Sequence, residues 1–187
     1  MVILLKFIVL DWPDIVQLSL KLCEKIRKTN YRPDCIVTLL RGGLVPARIL
    51  SDCLNILEVY TLGVSFYVDV AKHSREPVIT QPLNVDLKDR KILIVDDVAD
   101  TGQSISIAVE TLRKKGASNI KAATLHKKPW SKIEPDFYVE ETDAWIIYPW
   151  EFKETIESLN KKLVEDLSKD DSLEIQRVLE TIKRKYH

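Results

Sequence analysis

The sequence carries no excess of either charge: 28 Lys and Arg stand against 28 Asp and Glu, a net charge of zero. That balance lacks the basic footprint of a nucleic-acid binder. Cysteine is sparse as well. Cys23, Cys35 and Cys53 are scattered, odd in number and free of any C-x-x-C pair. This argues against a disulfide or zinc framework and predicts reduced core thiols in a cytoplasmic protein. Long apolar runs are also missing. The stretch 1–10 is broken by Lys6 and is about half the ~20 residues a membrane span needs. It has neither the basic start nor the small-residue cleavage site of a signal peptide. No internal repeat or low-complexity tract occurs. What is present is 45% hydrophobic and 30% charged in 187 residues, enough for one α/β domain with a proper core.

The chain is organised around Lys91-Ile-Leu-Ile-Val-Asp-Asp-Val-Ala-Asp-Thr-Gly-Gln-Ser104. Four apolar residues ended abruptly by acid read as a strand buried on both faces of a parallel sheet. Ligands bind at the carboxyl ends of such strands, where Asp96 and Asp97 stand. Ile105, Ala108, Val109 and Leu112 then follow helical spacing. A loop of Thr101, Gly102, Gln103 and Ser104 leading into a helix start is a phosphate site, through free N–H groups and the positive dipole end. The flanking carboxylates Asp96, Asp97 and Asp100 would repel a phosphate unless sugar hydroxyls or a cation occupy them. Two other readings compete. One is a buried strand with a solvated acidic turn. The other is a signalling receiver, which would leave the first ninety residues and the Thr-Gly-x-Ser loop without a purpose.

Taken in order, Phe7–Leu10 reads as a short strand, and Asp11 as the N-cap of a helix to about Thr29 with Ile15, Leu18, Leu22 and Ile26 inward. Cys35–Leu40 is a second buried strand. It ends in Arg41-Gly-Gly-Leu-Val-Pro46, where Gly42 and Gly43 let the backbone approach a ligand and Arg41 adds a cation, before a short helix (47–54). Glu58–Phe66 is a third strand. Residues 67–87 read as a long connection without periodicity, and such loops are functional or disordered. Gly116 sits where a helix C-cap belongs. Asn119–Leu125 is a fourth strand, so strand–helix alternation implies a parallel sheet. Short apolar pieces at 137–139 and 145–147 precede two helices, one of about fifteen residues after Glu151 and one over 172–185.

The central stretch closely resembles the phosphoribosyl-pyrophosphate (PRPP) motif of the type I phosphoribosyltransferases, an apolar strand followed by D-D-x-x-D-T-G-x-S. Arg41-Gly-Gly-Leu-Val-Pro46 resembles the pyrophosphate loop of the xanthine–guanine branch. The resemblance implies an α/β fold with a central, mainly parallel sheet flanked by helices. It implies a core over about 1–126, a hood over about 127–150 and C-terminal helices over about 151–187. It also implies an unusual cis peptide at Leu40–Arg41 and a mobile flap over 67–87, in which Lys72 or Arg75 carries charge to the pyrophosphate. Lys127-Lys-Pro and Trp145-Ile-Ile-Tyr-Pro-Trp-Glu151 resemble the purine-binding hood of the 6-oxopurine enzymes. There Lys128 would donate to O6, Trp145 would stack on the base, the Ile146 carbonyl would face position 2, and Glu151 would lie near the same end.

The activity so implied is transfer of the 5-phosphoribosyl group from PRPP to guanine, hypoxanthine or xanthine, giving the nucleoside monophosphate and pyrophosphate. Asp100 and Thr101–Ser104 would hold the 5′-phosphate loop. Arg41, Gly42 and Gly43 would grip pyrophosphate, and Asp96 and Asp97 would take the ribose hydroxyls and lie near Mg²⁺, a hard cation suited to oxygen ligands. Asp100 would manage the proton at purine N7. A homodimer or larger homo-oligomer is expected, without nucleic acid or membrane. The alternatives are a PRPP-sensing regulator of the same fold and a transferase for adenine or a pyrimidine.

Overall fold

The computed structural model describes residues 6–69, 74–163 and 169–186. Its strands are β1 (Phe7–Val9), β2 (Cys35–Leu40), β3 (Val59–Asp69), β4 (Ser74–Gln81), β5 (Lys91–Ala99), β6 (Asn119–Lys127), β7 (Phe137–Glu141) and β8 (Trp145–Ile147). The helices are α1 (Trp12–Arg27), α2 (Leu44–Leu54), α3 (Gln103–Lys114), α4 (Phe152–Lys162) and α5 (Lys169–Tyr186). The chain divides into two compact units, Val16–Thr142 and Met1–Ile15 with Asp143–His187. No helix among the described residues is long and apolar enough to cross a membrane.

The larger unit holds a six-stranded sheet in the order β4-β3-β2-β5-β6-β7. All its pairings are parallel except β3–β4. The expected α/β architecture with a mainly parallel sheet is what forms. Ile92, Leu93, Ile94 and Val95 are fully buried, as a strand covered on both faces must be. One face packs Ile92 and Ile94 with Val37, Leu39, Leu62 and the α3 residues Ile105, Ala108 and Leu112. Gly116, with φ of +83°, follows the last turn of α3 in the left-handed region, the expected C-terminal stop.

In the smaller unit, β1 pairs with β8 in parallel. Beside them Ile147, Phe152, Leu159, Ile175, Val178 and Ile182 form a separate core. At the start of α1, the Asp14 N–H donates to Asp11 Oδ1 at 3.0 Å and the Asp11 N–H to Asp14 Oδ2 at 2.9 Å. This reciprocal cap bears out Asp11 as the helix start.

Two expectations are overturned. In the stretch 67–87 read as an irregular connection, 67–69 continue β3 and 74–81 form β4, antiparallel to β3 from Gly63↔Gln81 to Asp69↔Ser74, while 82–87 are irregular as expected. Pro77 obscured β4, yet this strand is the sheet edge, where a strand tolerates a residue without an N–H. Lys72 lies outside the described residues; Arg75 is in β4, opposite Val68. The cysteines are not all reduced either: Cys23 on α1 and Cys53 on α2 form a disulfide, with Cα atoms 6.5 Å apart. The sequence separates them by 30 residues, and only the packing of the two helices brings them within bridging reach. Cys35 is free and buried, and desolvation pushes its thiol pKa up.

Candidate active site

Strands β2 and β5 are neighbours, with Thr38 level with Val95, so the chain leaves both at the same end of the sheet. After β2 the peptide Leu40–Arg41 is cis, as the resemblance implied. Gly43 follows in a space with no room for a side chain. A Cβ there would lie 2.4 Å from the Val95 carbonyl oxygen and 2.5 Å from Thr38 Oγ1. A Cβ on Gly42 would lie 2.1 Å from Asp97 Oδ2, so the Asp97 carboxylate rests directly on the Gly42 backbone. The two loops thereby meet.

The acidic pair is ordered by its own backbone. The Asp97 N–H donates to Asp96 Oδ1 at 3.0 Å and the Val98 N–H to Asp97 Oδ1 at 2.8 Å. Desolvation, then the charge of Asp97, pushes the Asp96 carboxyl well above the usual carboxylate range. Two carboxylates this close favour a shared proton or a cation.

A cleft beside them is lined by Phe66, Asp96, Val98, Asp100 and the whole run Thr101–Ile105. The turn pivots on Gly102, whose φ of +81° is left-handed. Helices α2 and α3 both begin at these loops, without a side-chain cap and without acid in the first turn. By contrast α1, α4 and α5 carry Asp14, Glu154 and Asp170 with Asp171 there. Acid at a helix start is normally stabilising. Leaving it out at these two ends keeps the N–H groups open to an outside anion.

The segment after β6 closes over the second loop. Lys128 N–H donates to the Ala99 carbonyl at 3.0 Å, and Lys132 N–H to the Thr101 carbonyl at 3.2 Å. The Ile133 side chain abuts Gly102. Of the two adjacent lysines, Lys127 is turned to Glu134 at 2.5 Å and Glu141 at 3.0 Å. Lys128, also buried, instead sets its ammonium over the Trp130 ring, on the loop that borders the cleft. Behind it His126 is fully buried and held at a pKa of about 4, by desolvation and then by the charge of Lys128. Glu140 lies 3.8 Å from His126 Nε2, too far for a hydrogen bond, and does not reverse this.

Arg41, Gly42, Gly43, Asp96, Asp97, Asp100, Thr101, Gly102, Gln103, Ser104 and Lys128 all belong to the larger unit. Trp145, Ile146 and Glu151 belong to the smaller one. The Trp145 ring is exposed, whereas the Ile146 side chain is buried. The Glu151 carboxylate accepts from the Tyr148 N–H at 3.2 Å and so caps its own turn. Sequence reasoning missed two residues. Phe66 reaches the cleft from β3, a strand the sequence does predict, but with no sign that this residue faces the site. Trp130 donates its indole N–H to Asp100 Oδ1 at 2.9 Å. A large aromatic in an otherwise polar loop, two residues after Lys128, was the signal for the second.

Comparison with known proteins agrees with this geometry. The phosphoribosyl transferase domain family matches residues 8–157. A purine phosphoribosyltransferase from Pyrococcus horikoshii superposes with a TM-score of 0.71 at 40% identity, over 78% of this chain and 95% of that one. A xanthine-guanine phosphoribosyltransferase of Cereibacter sphaeroides is 36% identical over 119 residues, 62% of this chain and 68% of that protein. The hypoxanthine-guanine phosphoribosyltransferase of Schizosaccharomyces pombe is 30% identical over 180 residues, 75% of this chain and 87% of that protein. With a match over most of its length and both strand-end loops intact, the chain belongs to the phosphoribosyl transferase domain family, in its purine branch.

Proposed function

We propose that the protein transfers the 5-phosphoribosyl group of PRPP to N9 of a 6-oxopurine, releasing pyrophosphate. The observation that carries this reading is the adjacency of three elements in one unit: the Arg41–Gly43 turn, the Asp96–Ser104 loop and Lys128. They touch through Gly42 against Asp97 and Lys128 N–H on Ala99. In this reading the N–H groups and hydroxyls of Thr101, Gly102, Gln103 and Ser104 bind the 5′-phosphate. Arg41 and the Gly42 and Gly43 amides bind the pyrophosphate. The N9–C1′ bond forms as the C1′–O bond to pyrophosphate breaks, and the N7 proton passes to the Asp100 carboxylate. Catalysis is then positioning and electrostatic stabilisation, with no covalent enzyme intermediate.

Lys128 donates to O6, which is an acceptor in guanine, hypoxanthine and xanthine, whereas adenine presents an amine donor there. The family resemblance further assigns base stacking to Trp145, whose ring is exposed, position 2 to the Ile146 carbonyl, and the same end of the base to Glu151. Among the described residues no cluster of three or more acidic, His or Cys side chains could hold a metal. Asp96 and Asp97 alone offer two hard oxygen donors whose mutual repulsion a cation relieves. This fits Mg²⁺, which takes one or two carboxylates and completes its shell with substrate oxygens and water. Bound there, Mg²⁺ would supply charge neutralisation for the leaving pyrophosphate.

The reading includes a cytoplasmic location, a homo-oligomeric assembly, and a core, hood and C-terminal helices over about 1–126, 127–150 and 151–187. The Cys23–Cys53 bridge counts against the cytoplasmic part of this reading, because disulfides are rare where thiols are kept reduced. The test is nucleotide formation from radiolabelled guanine, hypoxanthine, xanthine and adenine, each with PRPP and Mg²⁺. Product from one or more of the first three supports the assignment. Product from none of the four replaces it with a PRPP-sensing role.

A further inference from the structure

Trp130 has no part in the scheme above, yet it makes two contacts within it. Its indole N–H donates to Asp100 Oδ1 at 2.9 Å. The Lys128 ammonium stands 5.4 Å from its ring centroid, within the range of a cation–π contact. Indole is a donor only, and its bond to a carboxylate is charge-assisted. It also fixes one carboxylate oxygen and leaves the other for a substrate. The loop that carries the ring is itself pinned. Ser131 N–H donates to the Lys128 carbonyl at 3.0 Å, Lys132 N–H to the Thr101 carbonyl at 3.2 Å, and Ser131 Oγ to the Ile133 carbonyl at 2.9 Å.

We propose that Trp130 is a positioning residue that sets the spacing between Lys128 and Asp100, so that the pair addresses O6 and N7 of one purine together. The inference rests on the functional reading above. O6 and N7 lie side by side on one edge of the base. A cation for the first and a carboxylate for the second are useful only at a matching separation, and a rigid ring touching both sets it. Flexible side chains in its place would leave Asp100 to rotate away from the proton it takes, and misplacement of such a group lowers turnover steeply.

The experiment is steady-state kinetics with guanine on the full-length protein. Trp130→Phe keeps a ring beside Lys128 but removes the donor, and kcat should fall about tenfold, the usual size for one charge-assisted hydrogen bond. The KM for PRPP should stay within about twofold. Trp130→Leu removes both contacts and should also raise the KM for guanine about fivefold, a modest cation–π loss. The decisive arm is the double variant: added to Asp100→Asn, Trp130→Phe should cost nothing further. Benzothienylalanine at position 130, with sulfur in place of the N–H, reproduces the loss if the donor matters and covers a poorly folding Phe variant. An active wild type whose Trp130→Phe keeps full kcat overturns the inference, as does a loss that persists undiminished beside Asp100→Asn. Wild-type protein inactive with every purine would instead sink the functional reading, before any variant is made.

Discussion

At Gly43 the backbone angle is ordinary, φ of −68°, and what runs out is space, because the Val95 carbonyl and Thr38 Oγ1 already occupy the place of a Cβ. At Gly102 the angle itself is unusual, φ of +81°, and the nearest obstacle is the Ile133 side chain at 2.7 Å. The first turn is shaped by the sheet beneath it. The second is shaped by its own backbone and by a segment folded over it from β6. The helices behind them differ in the same sense. Helix α2 is stapled to α1 by Cys23–Cys53, whereas α3 is held by the packing of Ile105, Ala108 and Leu112. One strand-end loop is built into the scaffold and the other is assembled by contacts that can open.

The largest effect expected from this contrast is on the staple. Closing a loop of this size lowers the entropy of the unfolded chain, worth about 3–4 kcal/mol. Reduction, or Cys53→Ser, should lower stability by that amount in urea titrations at pH 7. Unchanged stability under reductant would show that α2 needs no covalent tie. Next come the two glycines. Gly43→Ala drives a methyl into backbone, which cannot yield as a side chain can, and should cost ~3 kcal/mol. Gly102→Ala meets the left-handed penalty of ~1–2 kcal/mol and also the Ile133 Cβ at 2.7 Å and the Ile133 backbone N at 2.9 Å, which yield only if the segment carrying them shifts off the loop. Equal losses in the two variants would erase the distinction between a crowded turn and a bent one.

Chemistry should divide along the same line. Asp100→Asn keeps the shape of the second loop but cannot take the N7 proton, so kcat should drop at least ~10²-fold, about 2.7 kcal/mol in barrier. The KM for PRPP should hardly move, because the phosphate contacts persist. Turnover like that of the wild type would remove Asp100 from the reaction.

Much of the fold and of the candidate site is legible in the amino-acid sequence. The strand from Ile92 to Val95, the acidic pair and the Thr-Gly-x-Ser turn are local in sequence, and local order follows from apolar periodicity and helix-start chemistry. Arg41-Gly-Gly is equally visible as a turn. The reason for Gly43 is not, since it lies in the Thr38↔Val95 register. Contacts between distant segments are set by the fold and not by local pattern: Cys23 with Cys53, Trp130 with Asp100, Phe66 with the cleft, and the pairing of β3 with a strand β4 that Pro77 disguised. The different surroundings of Lys127 and Lys128 likewise depend on Glu134, Glu141 and Trp130 being in place.

The smallest effect separates the two loops by pH. His126 sits on β6 opposite Val98 of β5, two residues before Lys128, with its pKa depressed from 6.5 to about 4. Between those values the unfolded chain binds a proton at this site and the folded protein does not. Stability therefore rises with pH across the window and is lost on acidification. From pH 7 to pH 5 the loss should be about 2 kcal/mol, read from urea midpoints at the two pH values. His126→Gln removes this titration, and the pH dependence of stability should flatten by the same amount. Because β6 carries the segment that folds over Gly102, acid should loosen the 99–102 loop before the 41–43 turn. Hydrogen exchange at pH 5 would register this as faster exchange of the Lys128 and Lys132 amides, which donate to Ala99 and Thr101, with the Gly43 amide on Leu39 unchanged once both are corrected for intrinsic rate. Equal acceleration at both turns would mean that the protonated histidine weakens the whole sheet, and the second loop would then have no separate stability of its own.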